Sequence, residues 1–96
     1  MWSREEFCLR AGIAQTTLQV WVEEGWLAPR EGDAGQFLSE IDLARARLIR
    51  DLRESIGVND EGIGVILDLL DQVHGLRSVL FDLRRQLGAA IPEGKE

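Results

Sequence analysis

The chain carries few side chains able to make or break covalent bonds. It has one cysteine, Cys8, one histidine, His74, and no tyrosine. A hydroxyl or thiol nucleophile needs a base beside it. Cys8 sits among apolar neighbours with nothing placed to lower its pKa, so it reads as a core residue. A lone Cys and a distant His form no metal-ligand set. No glycine-rich phosphate loop joins a strand to a helix, and no spacing suggests a buried carboxylate pair. No catalytic residue, metal or cofactor is expected, and the protein reads as a non-enzyme. The chemistry that remains is charge. Seventeen acids face eleven bases, for a net charge of −6. Such a chain is repelled by phosphate backbones unless its arginines cluster, because non-specific nucleic-acid affinity rests on Lys and Arg neutralising phosphates. The densest arginines, 45, 47, 50 and 53, are spaced to pair on their own helix: Arg47 with Asp51 and Arg50 with Glu54 are i,i+4 pairs. Read singly, Glu54, Asp60, Glu61, Asp68 and Asp71 are solvated acids.

The elements that position these charges are short. At 96 residues the chain makes one small domain, with room for an appended helix. "SREE" at 3–6 is a capping box opening a first helix over about 4–11, with Phe7, Cys8 and Ala11 inward and Gly12 at its end. A tight turn centred on Gly12-Ile13 leads to a second helix over about 15–24, with Leu18, Trp21 and Val22 as its buried stripe. Gly25 supplies a positive-φ exit and Pro29 keeps the helix from resuming. Helix, tight turn, helix is a helix-turn-helix. "REGDAGQF" at 30–37 reads as a polar loop, flanked by Trp26-Leu27 and Phe37-Leu38 as a two-stranded wing. The three tryptophans read as core and rim packing. Ser39, with Asp42 three residues on, caps a third helix whose expected apolar face is Ile41, Ala44, Leu48, Leu52 and Ile56. Gly57 breaks that helix and Asn59 caps a fourth, with Asp60 and Glu61 at its positive end.

The fourth helix runs to about Leu87. Ile66, Leu69, Val73, Leu76, Leu80, Leu83 and Leu87 are spaced 3, 4, 3, 4, 3, 4, an a/d seam over three heptads. Gly75 could bend it, with 60–73 packing on the domain and 76–87 projecting. His74 reads as an exposed bystander. A small domain cannot cover such a seam, so a homodimer through Val73, Leu76, Leu80, Leu83 and Leu87 is expected. The expected organisation is a winged helix-turn-helix domain at 1–57, a dimerising and partner-binding helix at 58–88, and a disordered tail at 89–96. "MWSREEF" lacks a signal-peptide core, and no stretch of about 20 apolar residues occurs. A soluble, cytoplasmic protein with no membrane partner is expected.

The order of elements resembles the MerR family of transcription regulators: a mainly all-α, winged helix-turn-helix fold with a long C-terminal dimerising helix. "EFCLRAGI", "TTLQVWVEEGWLAP", "FLSEIDLARARLIRDLRESIGV" and the leucine seam carry the likeness over residues 4–87. The departures concern DNA. The family's recognition helix reads Thr-Leu-Arg-Tyr-Tyr-Glu, and here Thr17-Leu18-Gln19-Val20-Trp21-Val22 stands in its place. The Arg and first Tyr that touch phosphate are Gln19 and Val20. The wing's Arg-x-Tyr is Gly35-Gln36-Phe37. The metal-sensing cysteines of some members are missing.

Within the superfamily, "EFCLRAGI", "GWLAP", "LRESI", "EGIGVILDLLD" and "VHGLRSVLFDLRRQL" look like the CbpM chaperone-modulator family. That resemblance implies binding to the J-domain of a CbpA/DnaJ-like cochaperone, and inhibition of it. A J-domain engages DnaK through a basic second helix and a His-Pro-Asp loop. An acidic module can cover the basic surface, with Glu54, Asp60, Glu61, Asp68 and Asp71 as the contacts. The competing reading is a MerR-type DNA-binding regulator, if Arg4, Arg10, Arg30, Arg45 and Arg47 converge on one face. A bare dimerisation module is a third. On the acidic balance and the lost phosphate ligands, nucleic acid is not the expected partner.

Overall fold

Ser3 starts the first helix as its spacing predicts. Its hydroxyl accepts from the Glu6 N–H at 3.2 Å, and the Glu6 carboxylate accepts from the Ser3 N–H at 3.1 Å. In the computed structural model, which describes residues 1–90, the order is α1 (Arg4–Ala11), α2 (Gln15–Glu23), β1 (Arg30–Gly32), β2 (Gly35–Phe37), α3 (Glu40–Arg50), a π-helical turn (Asp51–Ile56) and α4 (Asp60–Ala90). This is a mainly helical helix-turn-helix fold with a two-stranded wing. Gly12, at φ 70°, takes the left-handed conformation that ends α1, and its N–H donates to the Cys8 carbonyl. The Asp42 carboxylate accepts from both the N–H and the hydroxyl of Ser39 at the start of α3. Asn59 Oδ1 accepts from the Gly62 N–H at 2.8 Å and starts α4.

The described chain divides into two compact units, one spanning Met1–Gly64 and the other beginning at Val65. The first unit has a continuous core. Phe7, Leu18, Leu38, Ile49 and Ile63 are fully buried, joined by Cys8, Ala11, Trp21, Trp26, Leu27, Leu43, Ala46 and Leu52. Each large apolar side chain taken from water contributes about 2 kcal/mol. The Trp21 and Trp26 rings meet at 6.4 Å between centroids, tilted by 44°. In the second unit Leu67 is buried, and every residue from Asp71 to Gly88 is exposed. The helix continues unbroken past Gly75 to Ala90. The expected tail at 89–96 therefore begins with two helical residues, and the rest of it lies outside the described residues.

Three expectations are corrected. The wing is built from residues 30–37 themselves, pairing Arg30 with Phe37, Glu31 with Gln36 and Gly32 with Gly35 across a two-residue turn at Asp33-Ala34. Trp26 and Leu27 are not wing strands. Their N–H groups both donate to the Trp21 carbonyl, and their side chains fill the core. Leu38 pairs instead with Trp2, exchanging two backbone hydrogen bonds of 2.8 and 2.9 Å.

The buried stripe of α3 is Leu43, Ala46 and Ile49, not Ile41, Ala44 and Leu48; Ile41 is 76% exposed. Both stripes are apolar at helical spacing, and packing on α1 selects one. The face expected to end on Leu52 and Ile56 is also broken. The π-helical turn carries its bonds five residues back, so residues four apart no longer stack. Leu52 is buried, while Ile56 is 70% exposed.

Candidate functional site

Helix α2 and the wing form the face that a helix-turn-helix turns toward its ligand. Leu18 and Trp21 anchor α2 in the core and leave Gln19, Val20 and Glu23 outward. Arg4, at the start of α1, spans this face. Its Nη2 donates to Gln19 Oε1 at 2.7 Å, and its Nη1 donates to Gln36 Oε1 on β2 at 2.9 Å. Each glutamine then passes its amide to an acid. Gln19 Nε2 donates to Glu23 Oε2 at 3.0 Å, and Gln36 Nε2 donates to Glu31 Oε2 at 3.1 Å. The result is one chain of side chains, Glu23–Gln19–Arg4–Gln36–Glu31, in which one guanidinium stands among two carboxylates. The sequence marks Gln19 as the replacement of a phosphate ligand and sets Gln36 within the stretch that stands for the wing's Arg-x-Tyr. It gives no sign that Arg4, 15 residues from one and 32 from the other, joins them.

Three further arginines meet partners within the chain. Arg10 lies over the Trp2 ring at 4.9 Å. Arg45 Nε donates to the Trp26 carbonyl, and Arg50 Nη1 donates to the Ala11 carbonyl at 2.9 Å. Arg50 thus closes the carbonyl end of α1, and Arg45 ties α3 to the segment after α2. The expected pair Arg50–Glu54 forms at 3.5 Å, and Arg47 and Asp51 are exposed. Of the five arginines that could have met DNA together, Arg4, Arg10 and Arg45 thus have partners within the chain, and Arg30 and Arg47 are exposed.

The five candidate acids are all exposed. Glu54 lies on the π-helical turn, Asp60 and Glu61 in the first turn of α4, and Asp68 and Asp71 further along the same helix in the second unit. Asp60 is paired: Arg53 Nη1 donates to its Oδ1 at 2.7 Å, across the Gly57 turn. Among the candidate dimer residues, Val73, Leu76, Leu80, Leu83 and Leu87 are all exposed on α4. His74 is exposed as well.

Two titratable groups on α1, Glu6 and Cys8, are perturbed. The Ser3 N–H and hydroxyl hold the Glu6 carboxyl below its ordinary value of 4.5. Burial pushes the Cys8 thiol up, against a smaller opposing pull from the Arg4 charge. A buried thiol held protonated is a poor nucleophile. Among the described residues, no group of three or more His, Cys, Asp or Glu side chains could hold a metal ion, and no helix is long and apolar enough to cross a membrane.

The family model for MerR HTH family regulatory proteins matches residues 3–85. No curated protein and no solved structure shows a significant match to the chain. The matched span runs from the Ser3 cap of α1 through the recognition helix, the wing and most of α4, so the chain belongs to the MerR helix-turn-helix family of regulatory proteins.

Proposed function

We propose that the protein is a non-enzymatic modulator that binds the J-domain of a CbpA/DnaJ-like cochaperone and inhibits its action on DnaK. The observation that carries this reading is Arg4, whose guanidinium is spent on Gln19 and Gln36. Where the family's recognition-helix arginine touches phosphate, this chain has Gln19, and Gln19 and the wing residue Gln36 both accept from its own Arg4. Glu23 and Glu31 then set negative charge at both ends of the network. A phosphate backbone approaching this face meets two carboxylates first. The regulatory fold is kept, and its ligand becomes a basic protein surface.

Glu54, Asp60, Glu61, Asp68 and Asp71 are the proposed contacts, steering a basic J-domain helix by charge while apolar contacts set the lifetime. Covering that helix denies it to DnaK, so stimulation of the DnaK ATPase stops without any chemistry by the inhibitor. The working form is a homodimer through Val73, Leu76, Leu80, Leu83 and Leu87. The exposure of all five apolar side chains supports it. The proposed setting is cytoplasmic.

The test is titration calorimetry of the full chain against an isolated J-domain, beside a duplex-DNA titration at rising salt. Saturable J-domain binding, weakened about tenfold by Glu61→Lys and again by Asp68→Lys, supports the function and its surface. Binding that survives both reversals keeps the function and rejects those acids. DNA binding that falls steeply with salt, with no heat from the J-domain, overturns the proposal in favour of a DNA-binding regulator.

A further inference from the structure

The turn between α1 and α2, helix α2, the end of α3 and the π-helical turn line a half-open cavity of about 410 Å³ within the first unit. The apolar part of its wall is Ile13, Val20 and Trp21, and the charged part is Arg50, Arg53 and Glu54. Two guanidiniums and one carboxylate line the cavity, and Asp60, outside the lining, pairs with Arg53. Both arginines are held in place from behind. Arg50 Nη1 donates to the Ala11 carbonyl, and Arg53 Nη1 donates to Asp60. A guanidinium has five N–H donors in a planar fork, so each keeps donors for a ligand while its position is already set. The contact of Arg50 with Glu54, at 3.5 Å, is long for a charge-assisted bond and is easily exchanged for a better one. Two of the three charged residues stand on the π-helical turn, a rare conformation that is frequent at functional sites.

We infer that this cavity is a binding site for a small monocarboxylate with an apolar or aromatic body. The carboxylate binds Arg50 and Arg53, and the body lies against Trp21, Val20 and Ile13. The arrangement selects the class: the planar forks of two guanidiniums match a carboxylate that takes the place of the long Glu54 contact, and Trp21, Val20 and Ile13 match an apolar body. A neutral ring leaves the guanidiniums unused. The volume falls in the range of small-molecule sites, roughly 300–1,000 Å³. Ala14 and Thr17, at the first turn of α2, also line the cavity, and that helix start has no side-chain cap and no acidic residue. Its positive end therefore adds to the pull of the arginines. The site shares Glu54, and through Arg53 also Asp60, with the proposed J-domain surface, and its ligand is tested without a J-domain.

The experiment is an NMR titration of the ¹⁵N-labelled full chain with 3-phenylpropionate as the probe. The expected result is saturable shifts at the Trp21 indole N–H, the Val20 and Thr17 amides and the Arg50 and Arg53 Nε–H groups, with a Kd of about 1 mM. The neutral amide of the same acid is expected to bind about tenfold more weakly, for want of the charge-assisted bonds. Arg53→Gln removes one guanidinium, and Val20→Glu sets a carboxylate in the wall. Val20 is half-exposed, so the fold survives the change, and each variant is expected to lose at least tenfold in affinity. Shifts that are absent or lie elsewhere overturn the proposal. So do an equal response to acid and amide, and unchanged binding by both variants.

Discussion

A single guanidinium decides most about the face that this family uses for DNA. Arg4 could have been a phosphate ligand, and its two hydrogen bonds to Gln19 and Gln36 make it a brace between helix and wing. Charged side chains at the neighbouring cap behave in the same way, meeting partners a few bonds away. Glu6 closes the Ser3 box, and the bonds from Ser3 lower its pKa below 4.5 in the folded state. A group whose folded pKa is depressed contributes stability that is complete above its unfolded value and is lost as pH falls through the folded one. Denaturant unfolding at a series of pH values is therefore expected to show wild type losing stability on acidification below about pH 4.5 more steeply than Glu6→Gln. Parallel curves for the two proteins would remove the charged capping box from the account.

At the scale of elements, two glycines with opposite roles make a paired test. Gly57 closes the π-helical turn at φ 83°, a conformation costly for any residue with a Cβ. Gly57→Ala is expected to lower stability by about 1 kcal/mol, although a methyl group there would touch nothing. Gly75 lies inside α4 with open space around it. Gly75→Ala is expected to raise helix content by circular dichroism and to stabilise by up to about 1 kcal/mol. If both substitutions moved stability the same way, backbone conformation would not be what separates these sites. The π-helical turn also explains why α3 and the residues after it share no single stripe. Leu52 continues the buried line of Leu43, Ala46 and Ile49, and the wider turn then throws Ile56 out.

The whole molecule leaves a long apolar stripe in water. Leu69, Val73, Leu76, Leu80, Leu83 and Leu87 are all exposed along α4, together with Val65, Val79 and Phe81. Apolar patches of this extent mark interaction surfaces. Leu76→Asp combined with Leu80→Asp is expected to convert a dimer to a monomer in sedimentation equilibrium while the first unit stays folded, since neither residue belongs to its core. A monomeric wild type at the same concentration would overturn the proposed dimer.

The sequence by itself determined the features that act over a few residues. The Ser3, Ser39 and Asn59 starts and the Gly12, Gly25 and Gly57 stops are each local hydrogen bonds or local dihedrals, so composition at three- and four-residue spacing is enough to see them. The helix-turn-helix order and the family likeness follow from those boundaries. Tertiary structure decided what depends on where distant segments meet. It chose Leu43, Ala46 and Ile49 over Ile41, Ala44 and Leu48, two stripes that periodicity alone cannot rank. It paired Leu38 with Trp2 and sent Trp26 and Leu27 into the core. It drew Arg4 to partners 15 and 32 residues away, and it brought Arg50 and Arg53 beside Trp21 around one cavity. Local signals are written in neighbouring bonds. Long-range contacts exist only once the chain has closed on itself, because their energy is set by the geometry of closure and not by spacing along the chain.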